Sequence, residues 1–210
     1  MNIITVPCGT MQANCYIVET DSAAVVIDPG YMEVELQQYA VQNKGKIKFI
    51  LLTHRHFDHV SAAVALRKIT DAKIVINELD EGGLFSDLLS LGKMAGGFYG
   101  TADPDAHADF YVDDGDTVTA GDMIFKVLYT PGHTEGGVSY LCDGILFSGD
   151  TLFKGSIGRT DFPSSDVAQM RESLDRLCTL PDDTVVYPGH GEMTTIGREK
   201  ASNMFLARGK

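Results

Sequence analysis

The sequence has little positive charge. It contains 17 Lys and Arg residues against 29 Asp and Glu residues, a formal net charge of −12. Nucleic-acid backbones and anionic membrane surfaces both attract clustered Lys and Arg, so this balance argues against either partner. No run of about 18 apolar residues occurs, which argues against a membrane-spanning helix. The N-terminal stretch has neither the basic segment nor the long apolar segment of a signal peptide, so we expect a cytoplasmic protein.

Cysteine is also scarce, and the four residues Cys8, Cys15, Cys142 and Cys178 form no Cys-x-x-Cys pair. This spacing argues against a redox motif and against a zinc ribbon. In a reducing cytosol we expect them to be free thiols that behave as small hydrophobic side chains. Internal repeats and Pro- or Ser-rich linkers are absent as well. The sequence therefore predicts one domain over residues 1–210.

Short apolar segments alternate with helical patterns, which predicts mixed β and α layers. Strands are expected at residues 3–6, 15–19, 23–28, 47–52, 73–76, 110–112, 123–129, 138–141, 145–148 and 184–187. Helices are expected at residues 31–43, 58–69, 78–91, 166–178 and 196–207. Residues 92–109 hold four glycines around Phe98 and Tyr99. They predict a mobile surface segment, either a plain loop or a wall of the substrate mouth.

Three of the six histidines lie in residues 53–59, with the sequence Thr-His-Arg-His-Phe-Asp-His. This window directly follows the buried strand expected at 47–52, a place where loops build functional sites. His54 and His56 can converge on one ion, while Asp58 and His59 leave the turn in another direction and can serve a second. Imidazoles and carboxylates suit Zn²⁺, and they also suit Fe or Mn.

Three further strand ends carry a ligand-type residue directly after a glycine. These residues are His133, Asp150 and His190, and glycine at such a turn lets the backbone approach an ion closely. Each residue alone is more simply a surface histidine or a turn aspartate. Together they predict a metal site whose ligands are His54, His56, Asp58, His59, His133, Asp150 and His190. His107, in an Asp-rich loop, is expected to be solvated.

The whole chain resembles the metallo-β-lactamase superfamily, because residues 53–59 match its His-x-His-x-Asp-His signature and the later ligands follow in the same order. The resemblance implies an α/β fold, a four-layer αββα sandwich of two mixed β-sheets flanked by helices, with the metals between the sheet edges. It implies two divalent metal ions per chain, with zinc expected and Fe or Mn as alternatives. One ion would be held by His54, His56 and His133, the other by Asp58, His59 and His190, with Asp150 bridging them.

Within that superfamily, residues 14–16, 148–153, 158–162 and 195–199 resemble the glyoxalase II (hydroxyacylglutathione hydrolase) branch. Full-length glyoxalase II has a C-terminal helical extension that holds glutathione, whereas only about twenty residues follow His190 here. The resemblance is therefore to the short, single-domain glyoxalase II-like proteins of bacteria.

This branch implies hydrolysis of a small-molecule thioester, such as an S-hydroxyacylglutathione, by a hydroxide held between the two metals. Asp58 would both bind a metal and orient the hydroxide. The leaving thiolate needs little help from a general acid because its solution pKa lies near 8.5. Arg159 falls where the longer enzyme has a basic residue that contacts substrate, so it would pair with a substrate carboxylate; the alternative is a surface ion pair. The oligomeric state is open.

Other branches remain as alternatives. Persulfide dioxygenases share the fold and the motif at 158–162, and they would use one Fe(II) held by His54, His133 and Asp150, leaving positions open for O₂. Quorum-signal lactonases use a similar set of ligands, and a non-catalytic metal protein is a third possibility. Class B β-lactamases fit less well because they usually carry Cys at the position of Asp150. Flavodiiron oxygen reductases carry Glu at the position of His56, and RNA-processing members need an added domain and a basic surface.

Overall fold

The computed structural model describes residues 1–94 and 106–206. Within these residues the strands form two large sheets, each of six strands. The first sheet contains, in spatial order, β1 (Asn2–Cys8), β2 (Ala13–Glu19), β3 (Ala24–Ile27), β4 (Ile47–Leu51), β5 (Lys73–Ile76) and β6 (Phe110–Tyr111). The first three strands are antiparallel and β3 to β6 are parallel. This sheet is therefore mixed, as predicted.

The second sheet is mixed as well. Its strands are β7 (Thr117–Ala120), β8 (Met123–Tyr129), β9 (Val138–Cys142), β10 (Ile145–Gly149), β13 (Val185–Pro188) and β14 (Thr194–Thr195). They lie in the order β14-β13-β10-β9-β8-β7, and all neighbours are antiparallel except the parallel pair β10 and β13. A separate hairpin joins β11 (Leu152–Phe153) to β12 (Ser156–Ile157).

Helices cover the outer faces of the two sheets. They are α1 (Val34–Gln42), α2 (Phe57–Val60), α3 (Ala63–Thr70), α4 (Val167–Leu177) and α5 (Ile196–Ser202), with a 3₁₀ helix at Glu78–Leu84. Among the described residues, no helix has both the length and the apolar character that crossing a membrane would need.

Alternating side chains on the strands divide the core into layers. On β2, Ile17 packs with α1 and α3 on one face of the sheet, whereas Tyr16 and Val18 pack between the two sheets. On the other side, Leu146 of β10 joins a third cluster with Leu174 of α4. Because successive residues of a strand point to opposite faces, one sheet can serve two hydrophobic layers. The expected four-layer αββα sandwich is confirmed.

The prediction of a helix at residues 78–91 is wrong. Residues Glu78–Leu84 form a 3₁₀ helix instead, and turns follow it. Two adjacent glycines weaken an α-helix there, and a Cβ atom at Gly83 would collide with the backbone carbonyl of Arg55. A close approach between two backbones, rather than local helix propensity, decides the structure of this segment.

Two other helices are shorter than expected. The helix predicted at 58–69 is split into α2 and α3, because the backbone N–H of Ala62 bonds to the carbonyl of Pro29 at 2.9 Å. The terminal helix predicted at 196–207 ends at Ser202, since Asn203 is extended and its side chain binds Glu199. The strands β7, β11, β12 and β14 were not predicted. Of the predicted mobile segment 92–109, residues 95–105, with Phe98 and Tyr99, lie outside the described residues.

All four cysteines lie in the described residues, and no disulfide joins any of them. Cys8, Cys15 and Cys142 are buried, and the first two pack among apolar side chains of the outer core layer. This agrees with their predicted role as small hydrophobic residues.

Candidate metal centre

Four loops bring the predicted ligands to one place, where the strands of both sheets end. The loop after β4 carries His54 and His56, and the helix α2 that follows it carries Asp58 and His59. The loops after β8, β10 and β13 carry His133, Asp150 and His190. Because β4 belongs to one sheet and the other three strands to the second, the site lies between the edges of the two sheets. His107 lies outside this cluster and is exposed.

One group of potential ligands consists of the buried residues His54, His56 and His133. One ring nitrogen from each lies within 4.8 Å of those of the other two. The nearest pair is His56 Nδ1 and His133 Nε2, at 2.8 Å. Three imidazoles at this spacing match the His₃ set of a catalytic zinc site, which keeps its fourth position open.

A second group consists of Asp58, His59 and His190, again with ligand atoms within 4.8 Å of one another. His190 Nε2 lies 3.3 Å from Asp58 Oδ2 and 3.4 Å from His59 Nε2. His190 is the most solvent-accessible of the three, with 27% of its side chain exposed. This side of the centre therefore opens to solvent.

The carboxylate of Asp150 lies between the two groups. Its Oδ2 is 3.4 Å from His133 Nε2 in the first group and 3.6 Å from His190 Nε2 in the second. Its Oδ1 is 3.5 Å from His59 Nε2. A single carboxylate with two oxygens can therefore reach both groups.

Hydrogen bonds behind the site fix which nitrogen of His54 and His59 faces inward. Asp28 accepts from the hydroxyl of Thr53 at 2.6 Å and from its backbone N–H at 2.8 Å. Since that hydroxyl donates to Asp28, its oxygen accepts from His54 Nδ1 at 3.0 Å. His59 Nδ1 donates to Asp28 Oδ2 at 3.1 Å. Both rings therefore turn Nε2 toward the centre.

His133 is oriented in the same way by a backbone carbonyl. Its Nδ1 lies 2.9 Å from the carbonyl oxygen of Arg159, and because a carbonyl can only accept, Nδ1 carries the hydrogen. The Nε2 lone pair then points to His56 and Asp150.

Two buried atoms of the centre have no hydrogen-bond partner within the described part of the chain. They are His54 Nε2 and Asp150 Oδ1. Leaving a buried acceptor unpaired costs roughly 1–3 kcal/mol, so such atoms are rare in folded proteins. A divalent cation between these side chains would satisfy both. The donor set, imidazole nitrogen and carboxylate oxygen, is the one that such cations bind.

Two histidines of the first group, His54 and His56, are held neutral. Burial, together with the neighbouring imidazoles, lowers the pKa of His54 well below its ordinary value. Burial and His133 likewise lower the pKa of His56. Because a metal binds the deprotonated imidazole, these two side chains are ready to act as ligands at neutral pH.

The second group has the opposite electrostatics. Burial alone would lower the pKa of His59, but the carboxylates of Asp150, Asp58 and Asp28 outweigh it and raise this pKa to about 10. The carboxylates of Asp58 and Asp150 also overcome burial at His190 and raise its pKa. Burial alone would raise the pKa of Asp58, but the nearby His59 and His190 outweigh burial and lower this pKa. Three carboxylates thus make a region of negative potential that attracts cations.

Asp28 is a functional residue that the sequence analysis missed, since it was included only as the last residue of the strand expected at 23–28. It follows β3, the parallel neighbour of β4, and the ends of adjacent parallel strands meet at one edge of a sheet. Its place beside the His54 loop could have been predicted from that rule.

Asp80 was missed as well, and it lies in the segment wrongly predicted as an α-helix. Its carboxylate is fully buried and accepts from the hydroxyl of Thr134 at 2.6 Å and from the backbone N–H groups of Arg55 and Gly136 at 3.2 Å. The guanidinium of Arg55 lies 3.6 Å away. Burial raises the pKa of Asp80 despite these partners. Asp80 therefore joins the two loops that carry His54, His56 and His133.

Arg159 lies on the rim of the centre. Its guanidinium forms two hydrogen bonds of 2.9 Å with the Asp161 carboxylate and lies 4.4 Å from the centroid of the Phe162 ring. Both charged side chains are about two-thirds exposed. The Phe162 ring packs 5.3 Å from the His56 ring and 5.8 Å from the His133 ring. Phe162 thus makes an apolar wall against the first group.

Comparison with known proteins agrees with this arrangement. The sequence model of the metallo-β-lactamase superfamily matches residues 8–190. The chain is 36% identical to "Hydroxyacylglutathione hydrolase GloC" of Haemophilus influenzae, with 98% of each chain covered. It is 35% identical to "Probable metallo-hydrolase YqgX" of Bacillus subtilis, with 95% of each covered.

Solved structures with the same fold include three at 33–38% identity. The BLEG-1 B3 metallo-β-lactamase has a TM-score of 0.90 at 34% identity, covering 98% of this chain and 99% of that one. TTHA1623, in a di-iron-bound form, has a TM-score of 0.81 at 38% identity, covering 97% and 100%. ETHE1 from Myxococcus xanthus has a TM-score of 0.77 at 33% identity, covering 97% and 84%.

Proposed function

The chain belongs to the metallo-β-lactamase superfamily, a family of metallo-hydrolases, and within it we propose that this protein hydrolyses a thioester such as an S-hydroxyacylglutathione. The observation that carries the proposal is the position of Asp150, within 3.6 Å of ring nitrogens in both groups of ligands. A carboxylate shared by two groups suits a pair of metal ions. The likeness to GloC supports the choice of substrate.

The ligand assignment follows the two groups. One divalent ion, zinc or alternatively Fe or Mn, would be held by His54, His56 and His133, and a second by Asp58, His59 and His190, with Asp150 shared between them. When bound, the ions lower the pKa of a water molecule toward neutrality and polarise the thioester carbonyl. The unpartnered Nε2 of His54 and Oδ1 of Asp150 are the atoms that most need such an ion.

Asp58 is the proposed catalytic residue. Its pKa lies below the ordinary value, so at neutral pH it is an ionised acceptor for a hydrogen of the attacking water. The carboxylate lies at the same opening as His190, with 12% of its side chain exposed. No side chain is required to protonate the leaving group, since a thiolate with a pKa near 8.5 leaves readily.

Arg159 is the proposed contact for a carboxylate of the substrate. Asp161 and the Phe162 ring hold its guanidinium at the rim of the first group. A substrate carboxylate would compete with Asp161 for the same pair of guanidinium N–H donors. Two parallel N–H donors of a guanidinium match the two oxygens of a carboxylate. A small-molecule thioester as partner, with neither nucleic acid nor membrane, stays a prediction from the sequence.

A second candidate is a persulfide dioxygenase with a single Fe(II). The likeness to ETHE1 favours it. The iron would be held by His54, His133 and Asp150, a two-histidine, one-carboxylate set that leaves positions open. In that case Asp58, His59 and His190 would not need to bind a metal.

The experiment is a substrate panel with the purified protein loaded separately with zinc, manganese and iron. The panel contains S-lactoylglutathione, a chromogenic β-lactam and glutathione persulfide, read as thioester loss, ring opening and O₂ uptake. Loss of the thioester well above the other two rates is the expected result. O₂ uptake with persulfide and an inert thioester would overturn the proposal in favour of the second candidate, and β-lactam turnover alone would overturn both.

A further inference from the structure

An open cleft of about 580 Å³ lies beside the second group of ligands. Its lining includes His190 together with Phe153, Lys154, Glu192 and Arg198. The Phe153 ring stands edge-on to the His190 ring with centroids 6.1 Å apart. The cleft thus adjoins His190, the most exposed ligand of the second group, and one apolar side chain.

The charge of this cleft is unusual for so acidic a chain. Two cationic side chains, Lys154 and Arg198, line it against one carboxylate, that of Glu192. Two other surface clefts have the opposite balance. One is lined by Glu19, Asp21 and Asp122 with Lys46 as its cation, and the other by Glu78, Asp113 and Asp116. Positive charge is therefore placed at the cleft that reaches the centre.

The two cations line the same cleft as the Glu192 carboxylate. Lys154 forms an ion pair with Glu192, whose side chain is 77% exposed. An exposed ion pair of this kind contributes little stability, because water solvates both charges well. An anionic ligand can therefore replace Glu192 at small cost.

The wall that carries Lys154 is held rigidly. The backbone N–H of Gly155 donates to the buried Glu199 carboxylate of α5 at 2.8 Å. The side chain of Asn203 donates to the same carboxylate at 2.9 Å and to the carbonyl of Ser156 at 3.1 Å. These bonds tie the β11–β12 hairpin to α5, which carries Arg198. A site built on such fixed elements can position a ligand.

We propose that this cleft is a subsite for a carboxylate of the substrate, bound by Lys154 and Arg198, with Glu192 as the group that the substrate displaces. The proposal rests on the proposed function, because it places the reacting thioester at the metal centre and its charged end in the cleft. It also narrows the substrate class to thioesters that carry a carboxylate. The carboxylate belongs either to the carrier thiol or to the acyl group.

Matched thioesters test this proposal. The lactoyl thioesters of N-acetylcysteine and N-acetylcysteamine differ only by a carboxylate on the carrier thiol. The succinyl and butyryl thioesters of N-acetylcysteamine share the carrier, and only the succinyl group carries a carboxylate. For Lys154→Gln and for Arg198→Gln we expect KM of the preferred anionic thioester to rise about fivefold, the size of an exposed charge contact. KM of the neutral partner and kcat of both should change less than twofold.

Glu192→Gln provides a test with the opposite sign. Removing the competing carboxylate should lower KM for the same anionic thioester and leave the neutral one unchanged. Lys200→Gln is the control, because Lys200 also lies on α5 but pairs with Asp182 at 2.7 Å. The anionic thioester whose KM changes in these variants shows whether the bound carboxylate belongs to the carrier thiol or to the acyl group. Equal effects of all four variants on anionic and neutral thioesters would overturn the proposal.

A binding measurement separates this proposal from the proposed function. The thioethers S-propyl-N-acetylcysteine, S-propyl-N-acetylcysteamine and 5-(propylthio)pentanoate cannot be hydrolysed. Calorimetry should show that an anionic thioether binds the metal-loaded protein more tightly than the neutral one and loses this advantage in Lys154→Gln and Arg198→Gln. That result supports the subsite even if no thioester is hydrolysed. Equal binding of all three thioethers would overturn it even if thioesters are hydrolysed.

Discussion

Asp28 Oδ2 and His59 Nδ1 lie 3.1 Å apart beneath the metal centre, and both side chains are buried. The bond makes Nδ1 the protonated nitrogen and turns Nε2 toward Asp58, Asp150 and His190. Asp28 also receives both hydrogens that Thr53 can donate. Its two oxygens thus accept three hydrogen bonds, and we infer that Asp28 supports the orientation of His59.

Asp28→Asn should therefore weaken metal binding without removing a ligand. Only the oxygen of the amide can accept hydrogen bonds, whereas both oxygens of the Asp28 carboxylate accept them from Thr53 and His59. The His59 ring therefore loses its fixed orientation. Loss of such a supporting partner typically lowers metal affinity 10–100-fold. Competition with a chromophoric chelator measures the affinity, and Asp21→Asn, the same change in the exposed turn between β2 and β3, is the control. Unchanged affinity in Asp28→Asn would contradict the assigned role.

Gly189→Ala should disturb the second group while leaving the fold in place. A Cβ atom at this position would lie 2.8 Å from His59 Cε1 and still closer to Asp150 Oδ1. Relieving that overlap must move a ligand, so we expect at least about a tenfold loss of metal affinity and a loss of about 1–3 kcal/mol of unfolding free energy. Gly45→Ala is the matched control, because among the described residues only its own chain neighbours can lie within 4 Å of its added methyl group. Equal metal affinity in the two variants would refute this packing argument.

Asp80→Asn should lower stability and loosen the first group. The amide keeps the shape of the carboxylate but leaves the buried guanidinium of Arg55 with less compensation. Breaking a buried charged pair typically costs about 3–5 kcal/mol, and Glu135, 2.9 Å from Arg55, offsets part of this. We expect about 2–3 kcal/mol by urea unfolding. Asp71→Asn, which changes a carboxylate that is 81% exposed, should stay within about 0.5 kcal/mol.

The ligands of the centre were predictable because each follows a strand. Residues 47–52 are apolar except for Lys48, and a buried parallel strand ends where such a segment ends, so the position of His54 followed from the sequence. Asp150 was recognisable in the same way, because it follows the glycine that ends β10. Asp80 follows neither a predicted strand end nor a glycine, so no local pattern indicated its role. Its partners, Thr134 and Gly136, lie more than fifty positions away along the chain, and only the folded structure brings them together.

The secondary structure was harder to predict where tertiary contacts decide it. Residues 78–91 have a helical pattern, yet the approach of Gly83 to Arg55 requires a different backbone. The break between α2 and α3 depends on the bond from Ala62 to Pro29, which no local pattern reveals. The strand β7 is only four residues long, and its pairing with β8 defines it.

The cluster around Glu19 predicts a pH dependence of stability. Lys46 and Tyr39 donate hydrogen bonds of 2.7 and 2.6 Å to its carboxylate and lower its pKa from 4.5 to about 2. The folded state therefore favours the ionised form. Its stabilisation is fully present above pH 4.5 and is lost as the pH falls toward 2.

Glu19→Gln should thus lower the free energy of unfolding at pH 7 by about 1 kcal/mol, a value reduced for partial solvation of the pair. The difference from the native protein should shrink as the pH falls from 4.5 to about 2. Urea unfolding at several pH values measures it, with the exposed Glu172→Gln as the charge control. A difference that is constant over this range would argue against the assigned ion pair.

The most direct test of the two-ion centre is elemental analysis of the purified protein after equilibration with excess zinc and removal of loosely bound metal. Two equivalents per chain are expected, with fewer than two and no thioesterase activity in Asp150→Ala. His107→Ala, outside the cluster, should keep both equivalents. A single equivalent in the native protein, or two equivalents and full activity in Asp150→Ala, would contradict the shared role of Asp150.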